Sequence, residues 1–179
     1  MYCTDILKEE HEVILAVLNA FDKQAKQINE LSSVNHDTIS KYLDFFRNFA
    51  DKCHHLKEED TLFPRMNERG MPSEGGPIGV MLYEHELGRN YLKNIDELNN
   101  NLNTDKASID SLVSNIHGYY ELLTGHIYKE NNILFGMANN VLTDEDNKEL
   151  LEAFENKEKI ELGEGFHEKY KKLAEELVR

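Results

Sequence analysis

Apolar residues recur at steps of three and four along almost the whole chain, and the β-branched alternation that marks strands is missing. The pattern predicts an all-α protein. A first helix over about 4–30 carries Leu7, Ile14, Leu15, Leu18, Phe21, Ala25 and Ile28 on one stripe, with Thr4 as its N-cap. A second, over about 37–69, puts Leu43, Phe46, Ala50, His54, Glu58 and Leu62 on one face, and Pro64 is expected to kink or break its tail. Gly70 to Pro77 reads as a loop. A third helix, over about 78–103, presents Met81, His85, Gly88, Leu92, Ile95 and Leu98. Thr104 and Asp105 look like the cap of a fourth, which runs to about 140 with Leu112, Ile116, Tyr119, Leu123, His126, Glu130, Ile133 and Met137 facing inward. Thr143 starts a short helix, Leu162 to Gly165 breaks the chain, and a last amphipathic helix fills about 166–179. Four long helices with short links predict an up-down-up-down four-helix bundle over about 4–140. Extra C-terminal helices over about 143–179 complete a single domain, 1–179.

The polar residues inside these stripes repeat. Cys53-His54-His55-Leu56-Lys57-Glu58 leads to Leu62-Phe63, and Gly125-His126-Ile127-Tyr128-Lys129-Glu130 leads in the same steps to Leu134-Phe135. Glu10-His11-Glu12 stands 43 residues before His54, and Glu84-His85-Glu86 stands 41 before His126. The chain is two copies of one unit, a lone His followed by His-x-x-x-Glu. A His and a Glu four apart project from one helix face one turn apart. One such pair alone is usually a solvated surface pair, and one His in an apolar stripe is usually a satisfied core residue. Four such features duplicated in order are hard to produce that way.

Together they bring four imidazoles and two carboxylates into a bundle core. A carboxylate buried alone costs several kcal/mol, and cations between the helices remove that cost. Six ligands, His11, His54, Glu58, His85, His126 and Glu130, exceed the four of a tetrahedral zinc site. They suit two ions bridged by the two Glu, with iron favoured by ligand type and manganese or zinc compatible. The repeat sets the register, so His55 and Glu59 are expected to point about 100° away from the site, and His55→Ala is expected to leave two-metal binding intact. Glu10 and Glu84 are read either as outer partners of the ligands or as surface residues. His167 is read as an extra ligand over an open end or as a surface histidine. Tyr119, Tyr120 and Tyr128 flank the site, with core packing as their plain reading. Cys53 is read as packing rather than as a thiolate ligand.

Composition narrows the partners. A net charge of −14 opposes nucleic acid and anionic membrane. No apolar run is long enough to span a bilayer, and no leader pattern opens the chain. Two cysteines make no disulfide framework, which points to a reducing cytoplasm. Charge and length leave the oligomeric state open.

The motifs resemble the hemerythrin-like (HHE cation-binding) family over nearly the whole chain, from Glu10-His11-Glu12 through Cys53–Pro64 and Gly76-Pro77-Ile78 with Glu84-His85-Glu86-Leu87-Gly88-Arg89 to His126–Ala138. The resemblance implies a four-helix bundle around a non-haem di-iron centre, two Fe ions bridged by carboxylates and an oxygen species, held by the six residues named above. The oxygen-carrying members have two His four apart on the third helix, whereas here Arg89 follows His85, and their fourth-helix His is followed by Asp five on. One imidazole is therefore expected to be missing. The set looks more like bacterial hemerythrin-like proteins and the repair proteins that act on damaged iron–sulfur centres and nitric oxide. Those repair proteins carry an extra N-terminal Cys-containing domain, whereas the first helix here is expected to begin almost at Met1. The expected function is to bind, sense or reduce O2, NO or peroxide. A non-catalytic iron sensor or store, or an iron-centre repair protein, is the alternative, and a metal-dependent hydrolase lacks a nucleophile motif or cleft.

Overall fold

The structure is a computed structural model that describes residues 2–101 and 105–179, the Glu161 side chain excepted. Among the described residues it contains six helices and no strand. Helix α1 is Cys3–Leu31. Helix α2 covers 36–68, α-helical at His36–Phe45 and Phe63–Glu68 but π-helical at Phe46–His55 and Glu58–Leu62. Helix α3 is Pro77–Asn100. Helix α4 covers 106–141, with a π segment at Glu130–Leu134 between Lys106–Lys129 and Phe135–Val141. Helix α5 covers 144–162 and ends in a π turn, Glu158–Leu162, and α6 is Phe166–Val178.

Local chemistry explains most boundaries. The side chain of Asn35 accepts the Thr38 N–H at 3.1 Å and caps α2, and Asp105 does the same for Ser108 at 3.0 Å. Thr143 and Asp146 form a reciprocal capping box at the start of α5. Thr104 lies outside the described residues. Thr4 is not a cap: the non-helical residue is Tyr2, whose N–H donates to the Asp5 carboxylate at 2.7 Å, and Thr4 is buried against Asn139. Pro64 does not end α2, which continues to Glu68. In α geometry a proline ring collides with the carbonyl four residues back. Here the preceding turn is wide, with the Phe63 N–H reaching the Glu58 carbonyl five residues back, and the collision is relieved.

The same widening corrects the inner face of α4. Ile133 and Met137, expected inside, are 53% and 37% exposed, while Leu134, Phe135 and Ala138 are buried. The π segment beginning at Glu130 adds one residue to the turn and advances the buried stripe by one position.

Helices α1 to α4 form the four-sided bundle: α2 packs on α1 and α3, and α4 on α3 and α1. Its interior has three layers. One apolar layer holds Phe21, Phe45, Phe46, Phe49, Ile95, Leu112 and Ile116. The other holds Leu7, Leu62, Phe63, Met66, Ile78, Leu134, Phe135 and Phe154. Each of these side chains stabilises the fold by about 1.5–3 kcal/mol, against the cost of the polar layer between them. Helices α5 and α6 lie on α1 and α2 rather than on α3 and α4. Asp146 clasps α5 to α2 through Arg65 at 2.6 Å and Arg69 at 2.7 Å.

Candidate metal centre

The middle layer gathers His11 from α1, His54 and Glu58 from α2, His85 from α3, and His126 and Glu130 from α4. All are at most 2% exposed. One oxygen of Glu130 lies 3.2 Å from His11 Nε2 and 3.2 Å from His126 Nε2. The Glu58 carboxylate lies 3.7 Å from His54 Nε2 and 3.5 Å from His85 Nε2, using one oxygen for each. Each Glu thus stands between the His of one copy and the His of the other. His11 Nε2, His54 Nε2 and all four carboxylate oxygens are buried and form no hydrogen bond. Six lone-pair atoms aimed at one small volume are an unfavourable interior unless cations fill it. The imidazole and carboxylate donor set fits iron by ligand type.

A second ring of residues fixes the first. His54 Nδ1 meets Glu10 at 2.9 Å, and His126 Nδ1 meets Glu84 at 3.0 Å. Lys57 bonds Glu10 and Lys129 bonds Glu84, each three residues after its His. His85 Nδ1 meets Glu59 at 2.5 Å, and His11 Nδ1 meets Asn131 at 2.8 Å. Glu59 and Asn131 occupy the same position of the repeat, each one residue after the Glu of its His-Glu pair. Phe63 stacks beneath His85 and Phe135 beneath His11, which explains the Leu-Phe of the repeat. With Nδ1 occupied in each ring, Nε2 is the nitrogen presented inward. Asn131 and the two lysines carry a sequence signal, their fixed distance from the His-Glu pairs.

These contacts divide the charges. Burial opposes ionisation of Glu58, the nearby Glu130 charge adds to it, and its carboxyl is pushed well above the usual range. Burial opposes Glu130 too, but His126 and His11 outweigh it and hold Glu130 well below. Burial alone would lower His126, yet Glu130 and Glu84 lift it to about 9. Burial, then His11, lowers His54 to about 3. Burial disfavours charge on Glu10, but His54 and Lys57 bring it down to about 2.

The family model of the hemerythrin HHE cation-binding domain matches residues 4–138, the span that supplies every residue of this layer. The chain belongs to the hemerythrin HHE cation-binding family. Iron–sulfur cluster repair proteins YtfE from Escherichia coli O139:H28, E. coli K12 / DH10B and Shigella boydii serotype 18 are each 36% identical to it over 104 residues. That stretch is 56% of this chain and 46% of each of those proteins, so the chain spans about half the length of the curated relatives it matches. No solved structure matches.

One expectation for this HHE domain is overturned. His55 does not point away. It is 7% exposed, and its ring stacks on His85 with centroids 3.8 Å apart. Phe46–His55 is π-helical, with the Leu56 N–H bonded to the Asp51 carbonyl. A wider turn puts fewer degrees between successive residues than the 100° of an α-helix, so His54 and His55 both reach the interior. The donors then fall into two groups, each with its atoms within 4.8 Å of one another: His11, His54, Glu58 and Glu130; and His55, Glu58, His85 and His126. Glu59 also turns inward enough to hold His85.

Other flanking residues stand apart from the two groups. His167 lies behind Glu10, 4.0 Å from its carboxylate and 3.7 Å from Glu158, stacked on Phe49. Cys53 is buried beside Lys57, and burial pushes its thiol up to about 12. Tyr119 packs edge-on against Phe46, while Tyr128 is 65% exposed. Among the described residues no helix is long and apolar enough to cross a membrane.

Proposed function

We propose that this HHE domain holds two iron ions in its middle layer and binds or reduces a small diatomic molecule or peroxide at one of them. The observation that carries the reading is a cavity that reaches one of the two donor groups. It opens between α2, α3 and α4 onto His55, His85 and His126, and is walled by Phe46, Gly88, Leu92, Tyr119 and Leu123. The space open to the centre of a water-sized sphere is about 10 Å3, the lower limit for one small molecule. Iron with an unfilled coordination position supplies ligand binding and electron transfer to such a molecule. The chain supplies the rest. Glu58 and Glu130 would bridge, and His11, His54, His85 and His126 would complete the set. Glu10, Glu84, Glu59 and Asn131 hold each imidazole with Nε2 inward. The apolar walls exclude bulk water and larger substrates.

The test is metal content with an absorption spectrum of anaerobic reduced protein, before and after O2, NO and hydrogen peroxide. Two irons per chain with a spectrum that answers to one of these is the expected result. Two irons that answer to none support a store or sensor instead. A single zinc, or no metal, overturns the reading. The 36% identity to YtfE over 104 residues favours a second reading, repair of damaged iron–sulfur centres. That reading predicts that the iron-loaded protein restores activity to an oxidatively damaged cluster enzyme, and that Glu130→Ala does not.

A further inference from the structure

We propose that His55 is a fifth imidazole ligand, bound to the ion that His85 and His126 hold, and that Arg89 positions it through Asp51. The proposal rests on the two-iron reading and deepens it by making the two ions unequal.

The geometry has three parts. First, a ring nitrogen of His55 lies within 4.8 Å of donor atoms of Glu58, His85 and His126, all four residues being buried. Its ring is 3.8 Å from that of His85 and 5.8 Å from that of His126, centroid to centroid. Second, the Nδ1 atoms of all three imidazoles face carboxylates: His55 faces Asp51 at 3.4 Å, His85 faces Glu59 at 2.5 Å and His126 faces Glu84 at 3.0 Å. Such carboxylate–imidazole pairs fix the ring and raise the basicity of its other nitrogen toward a metal. Third, one guanidinium fastens two of the three carboxylates. Arg89 reaches Asp51 at 2.7 Å and Glu59 at 2.7 Å. A planar fork of fixed donors suits that task better than a lysine would.

The other donor group is furnished differently. The position that matches His55 in the second copy is Ile127, which is buried and apolar. His11 leans on the amide of Asn131, and only His54 leans on a carboxylate. One ion therefore has two imidazoles, and the other has three, each with a carboxylate behind it. The cavity adjoins the three-imidazole ion.

The experiment titrates metal-free protein with ferrous iron without oxygen, and records Mössbauer spectra of the 57Fe-loaded protein. Wild type is expected to bind two ions in two distinct environments. His55→Gln is expected to keep the ion of His11 and His54 and to weaken the other at least tenfold, with the signal of that ion changed. Asp51→Asn and Arg89→Gln, which spare every ligand, are expected to weaken the same ion about tenfold. Unchanged helicity of the metal-free variants excludes misfolding as the cause. If wild type binds two ions and His55→Gln binds both with the same affinities and spectrum, the fifth ligand is refuted while the two-iron reading stands. If Asp51→Asn or Arg89→Gln weakens both ions equally, the positioning role is refuted. If wild type binds fewer than two ions, the two-iron reading itself fails.

Discussion

The two halves of the bundle, α1–α2 and α3–α4, repeat one another closely and differ in where they stop doing so. They share a lone His, a His-Glu pair, a Glu behind the paired His, a Lys on that Glu, and a Phe under the opposite lone His. They differ in exposure. Helices α5 and α6 lie on the first half, so Lys57 and Glu10 are 3% and 2% exposed, whereas Lys129 and Glu84 are 36% and 14% exposed. They also differ in content, with His55 matched by Ile127 and Glu59 by Asn131. What is shared builds two adjoining groups of donors, and what differs makes those two groups, and the access to them, unlike.

The shared part is broken most severely at the carboxylates. Glu58 belongs to both donor groups. Glu58→Ala is expected to remove both ions, while His54→Ala is expected to leave one, as measured by metal analysis after dialysis. Equal loss in the two variants would mean that the ions bind as a unit rather than as two groups sharing an edge.

A smaller effect sharpens the contrast in cover. Removing one partner of a buried pair leaves an uncompensated charge, at a cost of about 3–5 kcal/mol, whereas an exposed pair contributes about 0–1 kcal/mol. Lys57→Met is therefore expected to destabilise the metal-free protein far more than Lys129→Met, measured by urea unfolding. Comparable losses would show that α5 and α6 do not shield the first half in solution.

The smallest expected effect lies in the register of α4. Leu134→Ala is expected to cost about 2–5 kcal/mol as a core truncation, and Ile133→Ala under about 0.5 kcal/mol as a surface change. The reverse order would restore the unbroken α-helical stripe in which Ile133 faces the core.

Much of this was legible in the residues alone. The four bundle helices, the duplicated unit and the convergence of His11, His54, Glu58, His85, His126 and Glu130 follow from side-chain periodicity, because in α geometry sequence spacing converts directly into direction. The readings that failed, His55 outward and Ile133 and Met137 inward, come from a single assumption: a constant 100° step. Three π segments interrupt that step within 46–62 and 130–134. Hydrophobic spacing alone does not record such a widened turn. Thr4 failed for a different reason. Its hydroxyl reaches a tertiary partner, Asn139, which no local rule could supply. The roles of Glu10 and Glu84 needed the fold to be seen, since a Glu beside a His on a helix can face either way.

The wide turns at 46–55 also bear on how such a chain can change over time. A π segment is equivalent to one residue inserted into an α-helix whose two ends stay where they were. An insertion of that kind adds an inward-facing position without lengthening the bundle or disturbing its loops. The reverse edit is correspondingly local. Loss of a single residue from Phe46–Lys52 would tighten a wide turn to α geometry with both ends of α2 still in place, so Glu58 and Leu62 would keep their faces while the interior would lose one position of the kind that His55 occupies.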